Sequence, residues 1–190
     1  TCSPSRAALL TGCYPHENGM LGLAHRGFRM HDYRQHLLHP LRAAGYETAL
    51  ASVQHIWHGP EAARGIGFER ELSKEEDAAG LEGALRFLGE ARRDRPFYLE
   101  LGFQETHRPF PKVSAAAARH VRSPAILPDA PATRTDMAAF IAAAAELDRK
   151  MGTVFAALDA AGLAPNTLVI CTTDHGPAFP GMKCTLTDHG

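Results

Sequence analysis

Three short apolar runs, each leading into a polar loop with a histidine, set the tightest limit on how this 190-residue chain folds. Tyr46 to Val53, Phe97 to Phe103 and Asn166 to Thr172 each read as a strand bounded by turn residues. Helical patterns separate them. Tyr33, Leu37, Leu38 and Leu41 mark an amphipathic helix from Asp32 to Ala44, stopped by Gly45. Ser73-Lys74-Glu75-Glu76 has the form of a capping box and opens a helix to about Arg92, and Asp94-Arg95-Pro96 breaks it. A long Ala-rich helix runs from about Thr135 to Ala161, ended by Gly162. Residues 14–30 and 60–73 read as irregular, and 112–133, with Pro124, Pro128 and Pro131, as a surface excursion. Strand and helix alternate, which predicts an α/β fold with a largely parallel sheet. In such sheets ligands bind at the carboxyl ends of the strands. There the sequence places His55, His107 and, after Leu168-Val169-Ile170-Cys171-Thr172, the pair Asp174-His175.

The opening stretch Thr1 to Gly12 is the second constraint. Ser3 reads as an N-cap and Pro4 as the first helical residue, followed by Ala7, Ala8, Leu9 and Leu10. Cys2 then lies just ahead of a helix N-terminus, beside Arg6, where a thiol pKa is lowered and an anion is cradled. A small buried cysteine before an ordinary helix accounts for the same residues equally well. Composition narrows the class. A net charge of −1 argues against a general nucleic-acid binder, and no apolar run is long enough to span a bilayer. With 45% hydrophobic and 22% charged residues, the chain suffices for one sizeable core. Its four cysteines match neither a zinc ribbon nor a disulfide scaffold, and Cys171, inside an apolar run, reads as a core residue. His16, His25, His31, His36, His39 and His58 have no compact zinc spacing, so most of them are expected on solvated loops and helices.

The spacing Cys2-x-Pro4-Ser5-Arg6-x-x-Leu9-Leu10-Thr11-Gly12, continued by Cys13-Tyr14-Pro15-His16, resembles the type I sulfatase signature. In that family the cysteine is oxidised to Cα-formylglycine (3-oxoalanine). Asn166 to Gly176 resembles the segment that supplies a pair of metal ligands, and Phe179 to Leu186 looks most like the heparan N-sulfatase (sulfamidase) branch. The resemblance implies an alkaline phosphatase/sulfatase-like α/β sandwich. It further implies one divalent cation, Ca2+, held by the oxidised Cys2, Asp174 and His175. Catalytic positions fall on Cys2, Arg6, His55, His107 and Lys183, with His107 and Lys183 contacting sulfate. One departure stands out: Val53 occupies the place of a sulfate-binding lysine. The second Asp188-His189-Gly190 has no strand before it and reads as loop.

The mechanism implied begins with the hydrated aldehyde of residue 2, one hydroxyl attacking sulfur to give a sulfated enzyme. The other hydroxyl expels sulfate. His107 would protonate the leaving group, while Lys183 and the cation neutralise the sulfuryl oxygens. The substrate is then a sulfated small molecule or glycan. A formylglycine-generating maturation enzyme is the implied partner, and a periplasmic, secreted or lysosomal-type compartment the implied location. The family's first metal-binding strand has no counterpart before Cys2, and its smaller C-terminal subdomain none after Gly190. Residues 1–190 are therefore expected to be an internal part of a sulfatase catalytic domain, incomplete at both ends and weakly active or inactive alone. Two other readings stay open on sequence: a phosphodiesterase or phosphonate monoester hydrolase of the same superfamily, and a non-catalytic metal- or anion-binding homologue.

Overall fold

The computed structural model describes residues 1–73, 77–92 and 94–185. The chain opens with α1 (Cys2–Thr11) and α2 (Pro15–Asn18), passes two 3-10 turns at Ala24–Arg26 and Tyr33–Gln35, and continues into α3 (Leu38–Ala43). Next come β1 (Glu47–Ser52), α4 (Ala62–Ile66), β2 (Arg70–Glu71), α5 (Asp77–Glu90) and β3 (Phe97–Gly102). After α6 (Ala115–Ala118), the long α7 (Pro131–Ala160) is followed by a 3-10 turn at Ala164–Asn166. The three strands form a parallel sheet in the order β2-β1-β3, with Ser52 opposite Gly102 at the carboxyl end. The expected α/β fold with a parallel sheet is what the chain adopts. Among the described residues no helix is long and apolar enough to cross a membrane.

The chain divides into two compact units. The first comprises Thr1–Phe103 with Val154–Asp174, and β1 is its centre. That strand is buried from Thr48 to Ser52, as expected of a parallel strand covered on both faces. Successive side chains serve opposite faces. Ala49 joins Phe87 and Leu88 of α5 and Leu158 of α7, whereas Leu50 joins Ala7, Met20, Met30, Leu38, Ile56, Ile66 and Phe68. Each large apolar side chain so buried contributes roughly 1.5–3 kcal/mol. The second unit comprises Gln104–Thr153 and the segment from His175 onward. Its core is Met137, Phe179 and Met182, with Phe110, Val121, Leu127 and Phe140 packed against them.

Several sequence expectations are corrected. Residues 167–173 form no strand: they enter no ladder with β1, β2 or β3, and Leu168 and Ile170 are 85% and 71% exposed. β-propensity measures fit to a pleated, half-buried surface, and the sheet of β2, β1 and β3 takes no strand from this stretch. Cys171 is accordingly exposed rather than core. The single helix expected over 32–44 is broken. The Asp32 carboxylate accepts the Arg34 N–H at 2.9 Å, and His36 Nδ1 accepts the Leu38 N–H at 3.0 Å, so side chains replace the helical ladder there. His36 is also fully buried, against the expectation of solvated histidines, with Nε2 3.6 Å from a Glu100 oxygen that accepts the Tyr98 hydroxyl. Burial and the Glu100 carboxylate push the Tyr98 phenol far above its usual pKa. The stretch 60–73, expected to be irregular, contributes α4 and β2. Lys74–Glu76 of the expected capping box and the sequence Asp188-His189-Gly190 lie outside the described residues. Ser73 is described, and its hydroxyl accepts the Ser52 N–H at 3.0 Å.

Candidate functional site

α1 begins two residues earlier than its sequence suggests. Thr1 holds the N-cap position, and its carbonyl accepts the Ser5 N–H at 3.1 Å. Ser3, the expected cap, is buried instead, and its Oγ accepts the Ala24 N–H at 3.0 Å, binding the helix to the following loop. Cys2 therefore stands inside the first turn, 7% exposed. Helix phasing places Ser5 and Arg6 one turn further along the same side.

Those three residues meet the far end of the unit. A carboxylate oxygen of Asp174 lies within 4.8 Å of Cys2 Sγ. Arg6 donates Nε to Asp174 Oδ2 at 3.1 Å and Nη1 to the Val53 carbonyl at 3.3 Å. Ser5 Oγ donates to the Asp174 backbone carbonyl. The Arg6–Asp174 pair is about one-fifth exposed on each side. One turn of helix thus fixes the carboxylate that follows Thr173 and the carboxyl end of β1, across 168 residues of sequence. Arg6 thus engages both Asp174 and the Val53 carbonyl directly, contacts that its place in the sequence does not reveal.

Val53, where the resemblance leads one to expect a lysine, is 2% exposed and contributes its carbonyl rather than its side chain. His55 follows two residues later with φ 57°, a left-handed conformation that costs about 1 kcal/mol or more for a residue with a Cβ. Its loop is held by Gln54, which the sequence does not single out, and by Tyr33, expected only as a position on a helix face. Gln54, 1% exposed, accepts the Ile56 and Trp57 N–H groups at 2.6 and 2.8 Å and returns a hydrogen bond to the Trp57 carbonyl at 2.8 Å. Tyr33 Oη donates to the Ile56 carbonyl at 2.7 Å, and burial raises its pKa. A lone polar residue directly after an apolar strand was the available signal for Gln54.

His107, His175 and Lys183 belong to the second unit. His107 is exposed, and its Nδ1 lies 2.7 Å from the Arg108 carbonyl. A carbonyl only accepts, so Nδ1 carries the proton and Nε2 is the ring's other functional nitrogen. His175 repeats the arrangement, with Nδ1 2.7 Å from the Gly176 carbonyl. A histidine whose Nδ1–H is so engaged has the tautomer that offers Nε2 to a metal. Lys183 is half-buried beside Met182, which anchors its segment in the second core. Five non-glycine residues among those described have left-handed backbones. One is His55, and two others, Thr106 and Cys184, adjoin His107 and Lys183. Strain of this kind concentrates at functional loops.

A family model, Sulfatase, matches residues 1–189. The chain belongs to the sulfatase family. It is 30% identical to human N-sulphoglucosamine sulphohydrolase over 98% of its own length and 43% of that protein's. Human arylsulfatase A is 28% identical over 96% of this chain and 44% of its own. The chain thus spans less than half the length of the curated relatives it matches. A solved complex of a protein with its substrate D-glucosamine-2-N,6-O-disulfate aligns with a TM-score of 0.47 at 22% identity, covering 66% of this chain and 30% of that one.

Proposed function

We propose that this sulfatase-family chain serves the hydrolysis of sulfate esters or sulfamates on sulfated glycans, with residue 2 as the nucleophile after oxidation of Cys2 to formylglycine. The observation that carries the reading is the meeting of Cys2, Arg6 and Asp174 at the first turn of α1, inside a family match that runs from residue 1 to 189. A sulfamate on an amino sugar is the favoured group, because similarity to the N-sulphoglucosamine enzyme extends over nearly the whole chain.

The donor set fits a divalent cation. Asp174 supplies a hard carboxylate beside residue 2, and His175, next in the chain, has its Nδ1 proton engaged by a carbonyl. Residue 2, Asp174 and His175 would hold the ion, Ca2+ in this reading, and formylglycine with the ion would supply a hydroxyl nucleophile at neutral pH. Arg6 orients Asp174 and, through Val53, the start of the His55 loop. His107 is the proton donor to the departing alcohol or amine, and Lys183 neutralises sulfuryl oxygens. His55 orients the nucleophile or the released sulfate.

The test is peptide mass spectrometry of residue 2 from a host with formylglycine-generating machinery, paired with turnover of matched sulfate, sulfamate and phosphate substrates. The expected result is a lower mass at residue 2 and hydrolysis of the sulfur substrates. An intact thiol from that host, or preference for the phosphate ester, overturns the reading. Arg6→Ala is expected to lower kcat by roughly 10²-fold, since it releases both Asp174 and the Val53 carbonyl. Arg6→Lys, which keeps the charge without the fork, should recover only part of that loss in steady-state kinetics.

A further inference from the structure

We propose that Arg108 is the positioning residue for His107, its guanidinium fixing the backbone carbonyl that orients the histidine ring. The proposal rests on the reading of His107 as proton donor to the leaving group. His107 Nδ1 donates to the carbonyl of Arg108 itself, so the ring's orientation is set by where the Arg108 backbone lies. The Arg108 side chain fixes that backbone three ways. It forms a two-pronged pair with Asp136 of α7, with Nη1 2.9 Å from Oδ1 and Nη2 bonded to Oδ2. Its Nε donates to the Ala178 carbonyl at 2.8 Å. Its guanidinium carbon stands 4.3 Å from the Phe110 ring centroid and 5.4 Å from that of Phe179. Phe179 lies in the same segment as Lys183, so one side chain ties the His107 loop to the stretch carrying the second sulfate contact.

The loop is also pinned three residues earlier, where Glu105 pairs with Lys150. Asp136 and Lys150 lie fourteen residues apart on α7, about 21 Å along its axis. The loop is therefore strapped lengthwise to the helix, with the left-handed Thr106 and His107 between the anchors. Arg108 and Asp136 are 41% and 37% exposed, and pairs this open to water add little to stability. The arrangement is better matched to fixing geometry, and a lysine would reproduce neither the fork nor the stacking.

The discriminating measurement is leaving-group dependence. His107→Ala, Arg108→Ala, Arg108→Lys and Asp136→Asn are compared with the unaltered protein on 4-nitrophenyl sulfate, whose leaving group needs no proton, and on N-sulfoglucosamine, whose amine does. Arg108→Ala is expected to follow His107→Ala: kcat on the sulfamate falls at least about tenfold more than on the aryl sulfate, with KM little moved. Arg108→Lys recovers part of the selective loss. Equal losses on both substrates, or none, for Arg108→Ala overturn the proposal. If that variant does not fold, Asp136→Asn, which leaves Arg108 in place, decides by the same criterion. Absence of leaving-group selectivity in His107→Ala overturns the role of His107 instead.

Discussion

Replacing Cys2 by alanine is expected to lower the turnover of a sulfate ester or sulfamate by about 10⁴-fold or more while leaving the thermal midpoint nearly unchanged. The separation follows from where Cys2 sits. It is 7% exposed in the first turn of a helix, where alanine is a better helix former and only one sulfur atom of packing is lost. Its neighbours hold one another without it: Arg6 with Asp174 and Val53, Ser5 with the Asp174 carbonyl, Ser3 with Ala24. Cys2→Ser should lose steady-state turnover to the same degree for a different reason. A single hydroxyl can take the sulfuryl group but has no second hydroxyl on the same carbon with which to expel sulfate. Intact mass after incubation with substrate should then show up to one added sulfuryl group on Cys2→Ser and none on Cys2→Ala. Turnover by Cys2→Ala near that of the unaltered protein would show that residue 2 is not the nucleophile.

The parts of the fold that the sequence makes legible are those where one local pattern decides. Glu47–Ser52 and Phe97–Gly102 stand out as apolar runs closed off by Gly45 and by Asp94-Arg95-Pro96, and α7 as an alanine-rich run ended by Gly162. The misses share a cause, namely that the deciding partner is remote or is a side chain. Leu168-Val169-Ile170 has the composition of a strand but no neighbour among the described residues to complete a ladder. Arg70–Glu71 is a strand of two charged residues, created by its pairing with Ala49 and Leu50 and invisible to any periodicity. The break between Tyr33–Gln35 and α3 depends on the Asp32 carboxylate and the His36 imidazole taking backbone protons. At the candidate site, the spacing after Cys2 was informative about which residues to watch. That Arg6 reaches residue 174, and that Arg108 reaches Asp136 and Ala178, are facts of the folded chain that no short motif encodes.

Gly102→Ala is expected to destabilise the chain by about 3 kcal/mol or more, which for this size is a fall of roughly 6–12 °C in thermal midpoint. A methyl group on Gly102 would stand 2.1 Å from the Val53 carbonyl oxygen and 2.9 Å from its carbon. Both obstacles are backbone of the central strand's continuation, so no side-chain rotation relieves the overlap. Either β1 and β3 separate where Ser52 faces Gly102, or the Val53 peptide turns away. The second route removes the carbonyl that receives Arg6 Nη1, so surviving folded protein should also lose kcat. Gly89→Ala provides the contrast: it lies within α5, a Cβ there meets nothing within 4 Å, and alanine should raise stability by up to about 1 kcal/mol. Thermal denaturation of the two variants side by side separates the close approach of β1 and β3 from the general effect of adding a methyl group. Equal midpoints would mean that the strand ends yield without cost, and that the hold of Arg6 on Val53 does not depend on the missing side chain at position 102.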